Sequence, residues 1–177
     1  KKESGRVWHY VGNADKEGLA VDEKVNVVVD WDRRHVLMRH HTAMHVLAAM
    51  MHQRAGALIT GNQIGLDESR IDFSLEAFDR EKIAAYVNQA NEVMKQNIPV
   101  KMYFLPREEA MRIPGVVKLA AVLPPQMDRL RIVKIGDVDI QADGGTHVGN
   151  TSEIGQIEIT KLDNKGKDRR RIYFRLV

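Results

Sequence analysis

The chain has 177 residues, 44% of them hydrophobic and 29% charged, with a net charge of +3. That length suffices for one well-buried core, alone or with a small appendage, and the balance is that of an ordinary globular protein. The absence of cysteine excludes a disulfide framework and any thiolate metal ligand.

No apolar run approaches the roughly 20 residues that a membrane helix needs, and no signal-peptide pattern stands at the start. The expectation is a cytoplasmic protein with no membrane partner. The charge is unevenly placed. Residues 161–175 hold seven positive and two negative side chains, a local +5, so the rest of the chain carries −2. This cluster reads either as a solvated hairpin tip or as a surface for a polyanion.

In chain order, residues 1–34 read as β structure. Val7 to Val11 and Val25 to Val29 are rich in β-branched and aromatic types, with Gly12-Asn13 and Gly18 as turns between them. Two strands are too few to stand alone. Residues 1–34 are therefore expected to be the C-terminal part of a small β-domain that begins upstream of Lys1. His9, between Trp8 and Tyr10, is expected to be structural.

From about residue 34 to 55 the pattern is helical. Leu37, Met44, Leu47, Ala48 and Met51 recur at three- and four-residue steps, Asp30 or Asp32 can cap the start, and Gly56 can stop the end. Residues 57–75 predict strand, turn and strand, punctuated at Gly61-Asn62 and Gly65. Asp79 then caps a second helix with a buried stripe of Ile83, Tyr86, Val87, Ala90, Val93 and Met94, ending before Pro99. Strands are expected at 100–105, 129–135 and 138–140, with a short helix at 106–110. Pro114-Gly115 and Pro124-Pro125 bound a segment without clear pattern. The chain closes on a hairpin, 154–162 and 170–176. In its last strand Arg169, Arg171, Tyr173 and Arg175 share one face, a basic stripe with an aromatic suited to phosphates or a stacked base.

Two stretches carry the chemistry. His41-Thr42-Ala43-Met44-His45 puts two imidazoles on one helix face, because positions i and i+4 are neighbours there. Asp143-Gly144-Gly145-Thr146-His147 follows a strand and joins an acid to a third histidine through two glycines, which let the backbone turn tightly. Together they offer three nitrogen donors and an oxygen donor, the ligands of a catalytic zinc. His52 lies about 10 Å of helix rise beyond His45 and cannot reach the same ion.

These motifs, with Asn150-Thr151-Ser152-Glu153-Ile154-Gly155, Arg70-Ile71-Asp72-Phe73-Ser74, Pro99-Val100, Glu108-Glu109-Ala110 and Arg170-Arg171-Ile172, resemble the editing domain of alanyl-tRNA synthetase. The likeness is stronger still to its free-standing AlaX relatives, with the editing domain of threonyl-tRNA synthetase a more distant second. It covers about residues 35–177.

The resemblance implies trans hydrolysis of the ester between a wrong amino acid, chiefly serine, and alanine tRNA, with one zinc ion per chain. It implies a ligand set of two histidines from the first motif and a cysteine and a histidine from the second. His41, His45 and His147 match. Asp143 stands where the family has cysteine, and is expected to bind zinc through oxygen, with a general-base role as the other possibility. The larger relatives carry a glycine-rich stretch in an N-terminal β-domain that this chain lacks.

The expected fold is α+β, with two long helices on a mainly antiparallel sheet. Asp143 and Thr146 are the expected catalytic residues. Arg39, Thr42, Gly144, Gly145, Arg169 and Arg171 are the expected substrate and tRNA contacts, Thr42, Thr146 and the Gly61-Asn62-Gln63 turn being candidates for the seryl hydroxyl. The alternative reading is a zinc-containing tRNA-binding module without catalysis, and a third is a metal-free interaction domain. Oligomeric state stays open.

Overall fold

The computed structural model describes residues 22–76, 79–120 and 126–177, together with Lys2–Glu3, Arg6–Val7, Gly12, Gly18 and Ala20. Among these residues nine strands and three α-helices follow in the order β1 (Lys2–Glu3), β2 (Arg6–Val7), α1 (Trp31–Ala55), β3 (Ile59–Gln63), β4 (Ser69–Ser74), α2 (Arg80–Met94), β5 (Val100–Pro106), α3 (Arg107–Met111), β6 (Arg129–Ile135), β7 (Asp139–Ala142), β8 (Ile157–Asn164) and β9 (Arg169–Leu176). A short 3₁₀ turn at Thr151–Glu153 precedes β8.

The architecture is α+β, as expected, and every strand pairing is antiparallel. The strands form two main sheets rather than one: a four-stranded sheet in the order β3-β4-β9-β8 and a three-stranded sheet in the order β5-β6-β7. Side chains alternate along a strand, so register assigns each residue to a face. In the three-stranded sheet Val100, Val133 and Ile135 share one face and join the main core with α1. Leu130 and Ile132 face the other way, onto Ala110 and Val116, in a small second core.

Helix α1 starts because the Asp30 side chain accepts the Arg33 amide, and it ends at Gly56, whose left-handed φ of 62° suits glycine. Between Thr42 and Met51 every residue is buried. One side reaches the four-stranded sheet, where His40 Nδ1 meets Ser69 Oγ at 2.9 Å and its ring lies 5.7 Å from Phe174. Another side reaches the three-stranded sheet through His45. Small residues at 43, 48 and 49 let both layers come close. Helix α2 packs on α1 with the expected stripe inward, and Asp79 caps it by accepting the Lys82 amide.

Two expectations need correction. Val25 to Val29 is not a strand: these residues are exposed and pair with nothing among the described residues. Gly61-Asn62 is not a turn but part of β3, where the absent side chain of Gly61 makes room for Asp72 across the strand pair. The turn comes instead at 64–68. There Gly65 has no room for a Cβ, which would stand 2.2 Å from the Glu68 carbonyl oxygen. Of the strand expected at 7–11 only Val7 is described, and His9 and Pro124-Pro125 lie outside the described residues. Among those residues no helix is long and apolar enough to cross a membrane.

Candidate metal centre

The helix and the turn after β7 bring four donors together. One ligand atom from each of His41, His45, Asp143 and His147 lies within 4.8 Å of the others. Asp143 is the hub. Its Oδ2 is 3.6 Å from His41 Nε2 and 3.8 Å from His45 Nε2, and its Oδ1 is 3.2 Å from His147 Nε2. A tetrahedron with arms of about 2.0–2.2 Å has edges of roughly 3.3–3.6 Å. The Asp143 separations of 3.2–3.8 Å lie close to that range, and the four donors could hold a metal ion.

The hydrogen bonds fix which nitrogen of each ring is free. His41 Nδ1 lies 3.2 Å from the Thr146 carbonyl, which can only accept. His45 Nδ1 lies 2.9 Å from the Asp139 carboxylate. His147 Nδ1 lies 3.2 Å from Thr42 Oγ1, whose own proton goes to the Met38 carbonyl. In each case Nδ1 carries a proton, so Nε2 is the nitrogen that faces the common centre and can bind a metal once it is deprotonated.

Asp139 and the residues that hold it, Lys118 and Gln141, escape sequence reasoning. Asp139 is buried on the three-stranded sheet, and its other oxygen accepts from Lys118 Nζ at 2.5 Å. Lys118, itself buried, also donates to the carbonyls of Gly115 and Ile140. Gln141 donates its amide to Asp139 Oδ2 at 2.9 Å. Asp139, Gln141 and Asp143 fall on one face at the two-residue period of a strand. That period was the signal for the acid behind His45.

The charges follow this geometry. Burial, then the neighbouring His45 and His147, lowers His41 to about 3. Burial opposes the charged form of His45 too, but hydrogen bonds to Asp139 and Asp143 outweigh it and raise the group to about 9. Burial also lowers His147. Burial works against the ionised form of Asp143, yet hydrogen bonds from His147 and His45 and the nearby imidazole charge hold it far below the usual carboxylate range.

The turn is shaped for this arrangement. A Cβ on Gly145 would stand 2.3 Å from His41 Cε1, so only glycine fits. The Gly145 amide donates to Asp143 Oδ1 at 2.6 Å, which turns Oδ2 toward the histidines. Arg131 Nη1 clamps the same turn through the carbonyls of Asp143 and Gly145, at 3.0 and 2.6 Å.

Comparison with known proteins places this chain in a family. A family model described as the second additional domain of threonyl and alanyl tRNA synthetases matches residues 130–173. Over 173 residues the chain is 49% identical to the alanyl-tRNA editing protein AlaX-M of Saccharolobus solfataricus, covering 97% of this chain and 71% of that protein. The chain belongs to the AlaX-M family. The Methanosarcina mazei AlaX-M is 48% identical over 180 residues, covering 99% of this chain and 72% of its own. An alanine–tRNA ligase of Methanococcus maripaludis is 36% identical over 169 residues, which are 92% of this chain and 18% of the ligase.

The remaining expected contacts of this AlaX-M chain divide. Gly144 and Thr146 are exposed beside the centre. Thr42 is fully buried, and its hydroxyl is spent on Met38, His147 and the Val148 amide, so it orients a ring and cannot meet a seryl group. Arg39 gives both Nε and Nη2 to the Ile154 carbonyl, at 3.0 and 2.7 Å, and holds the chain before β8 instead of facing phosphates. Arg171 forms a two-pronged pair with buried Asp72, at 2.6 and 2.8 Å. Arg169 is exposed at the hairpin. His52 caps α1 through the Ala57 carbonyl, apart from the centre.

Proposed function

We propose that this chain edits alanine tRNA in trans. It hydrolyses the ester that joins a wrong amino acid, chiefly serine, to the tRNA, with one zinc ion per chain held by His41, His45 and His147 through Nε2 and by Asp143 through Oδ2. The observation that supports this reading is the convergence of three Nε2 atoms and the Asp143 carboxylate on one centre, in a chain of the AlaX-M family. An oxygen donor in the family's cysteine position is a hard ligand that zinc accepts.

When bound, zinc supplies Lewis acidity for the ester carbonyl and lowers the pKa of a water to about 7. The protein's share is positional. Asp139, backed by Lys118 and Gln141, holds the His45 ring with Nε2 toward the centre. Thr42 does the same for His147, and the Thr146 carbonyl for His41. Arg131 keeps the glycine turn closed over His41. The exposed Thr146 hydroxyl and Gly144 amide stand beside the centre, where a seryl hydroxyl can be bound. A site built to hydrogen-bond that hydroxyl is left with unpaired polar groups when alanine enters, and such discrimination reaches about 10⁴.

The same reading makes residues from Asp30 onward the editing domain, since α1 runs across the boundary expected at residue 34. Residues before it are the end of a small β-domain, and the protein works in the cytoplasm. The decisive experiment compares seryl-tRNA(Ala) and alanyl-tRNA(Ala) with purified protein, with and without a chelator. Rapid, chelator-sensitive loss of serine with alanine retained is expected. Equal rates on the two substrates overturn the selectivity. Bound zinc and bound tRNA without hydrolysis leave a binding module.

A further inference from the structure

The face of the three-stranded sheet that carries Asp139, Gln141 and Asp143 does not stop at the metal centre. Register continues it through Arg131 to Phe104 and Met102, and through Arg129 at the edge. The Asp143 amide donates to the Arg131 carbonyl at 3.1 Å, and Arg131 is paired with Phe104. Phe104 therefore lies two strand spacings, roughly 10 Å, from Asp143.

Its ring is 54% exposed, unlike the rest of this face near α1, and Met102 beside it is 43% exposed. The Arg129 guanidinium lies 5.9 Å from the centroid of the Phe104 ring, and Arg131 Nη2 donates to Met102 Sδ. Among the described residues neither guanidinium has a carboxylate within ion-pair distance, so neither charge is cancelled, although Arg131 also gives Nη1 to the carbonyls of the glycine turn. An exposed ring on an edge strand is a liability unless something covers it. A flat aromatic flanked by two uncompensated arginines suits a single-stranded nucleic acid, whose bases stack and whose phosphates pair with the charges.

We propose that Phe104, with Met102, Arg129 and Arg131, is the landing face for the single-stranded 3′ end of the tRNA, Phe104 stacking one of its terminal bases. This rests on the reading of the substrate as an aminoacyl-tRNA. The face lies at the distance from the metal centre that the last nucleotides span when the ester is at the metal.

The test uses the full chain and a labelled, uncharged single-stranded RNA of eight nucleotides ending in CCA. Binding is compared for the natural protein, Phe104→Ala, Phe104→Leu and Phe104→Tyr. Loss of stacking on one base weakens binding by about fivefold to a hundredfold, so that drop is expected for Phe104→Ala. Phe104→Leu should fall nearly as far, because it keeps the apolar area and loses the ring. Phe104→Tyr should restore affinity. Thermal melting of each variant separates stacking from folding.

If Phe104→Leu binds RNA as the natural protein does, the inference is overturned. It is overturned equally if the natural protein is dimeric by light scattering and Phe104→Ala makes it monomeric with RNA affinity intact. No hydrolysis is involved, so the outcomes separate. Phe104-dependent RNA binding without deacylation sinks only the catalytic reading. Deacylation with Phe104-independent RNA binding sinks only this one.

Discussion

Two sheet faces of this protein carry arginines, and they differ in how those charges are held. On the outer face of the four-stranded sheet, Arg171 is held by Asp72 and Arg175 by Glu158. Lys161 and Lys165 both lie against Asp163. Arg170 is buried and spends its guanidinium on carbonyls around the hairpin, Gly166 and Lys167 among them. On the three-stranded sheet, Arg129 and Arg131 meet carbonyls, a ring and a sulfur, none of which cancels a positive charge. The stretch that is most basic in sequence thus has much of its charge cancelled, with Arg169 left exposed. What cancels a charge in a sheet is its cross-strand partner, and Asp72 lies 99 positions from Arg171.

The contrast has functional meaning only if the chemistry sits beside the three-stranded sheet, so the largest effect is expected at Asp143. Asp143→Ala should cost more zinc affinity than the roughly 10–100-fold that follows loss of an outer partner, and deacylation should fall with it. Asp143→Cys should keep zinc and measurable turnover. Metal analysis beside a turnover assay decides. Full zinc with no turnover would show that Asp143 acts as a base and is not a ligand.

Next come the residues behind the donors. Asp139→Asn and Lys118→Met should each lower zinc affinity by about 10–100-fold, read by competition with a chromophoric chelator. Unchanged affinity would mean that the ring of His45 is held by packing alone. A comparable effect is expected from pH. Without metal, His45 keeps its proton up to about 9, while His41, lowered to about 3, has already lost its own. Zinc must displace one proton below pH 9 and none above. Affinity should therefore climb about tenfold per pH unit from pH 7 to 9 and then level. Calorimetry in buffers of different ionisation heat counts that proton, and a release of zero at pH 7 contradicts the assignment.

The smallest effects distinguish the two arginine faces directly. Arg129→Ala should reduce the salt slope of RNA binding by about 0.7, one phosphate contact to a single strand. Arg171→Ala should leave that slope alone and instead cost about 2 kcal/mol of stability, because Asp72 is left buried with one weaker partner at 3.6 Å, Arg70. Urea titration of Arg171→Ala and salt titration of both variants check the pair. Reversed outcomes would return tRNA binding to the hairpin stripe.

The parts of the centre that were legible in the sequence are those governed by local geometry. His41 and His45 are one helix turn apart, and Asp143 and His147 flank a two-glycine turn whose second glycine has no alternative. The long helices, their caps and the strand at 129–135 were legible for the same reason. Illegible were matters of which layer meets which. Thr42 shares a helix turn with the ligands but faces His147. Lys118 reaches Asp139 from a loop with no periodicity of its own. Val25 to Val29 has strong strand composition and no partner among the described residues, and composition cannot supply one.

The burial of α1 on all sides has a consequence for how the donors move. Amides between Thr42 and Met51 lie under both sheets, and no partial opening exposes them without parting the main core. They should exchange with deuterium only through global unfolding, near the full stability of the protein. Gly144 to Thr146 lies at the surface, tied down by Arg131 and His41. Its amides should exchange far sooner, through local opening. The donor set therefore joins a half as immobile as the fold itself to a half that can swing out, and entry and exit at the centre belong to the turn.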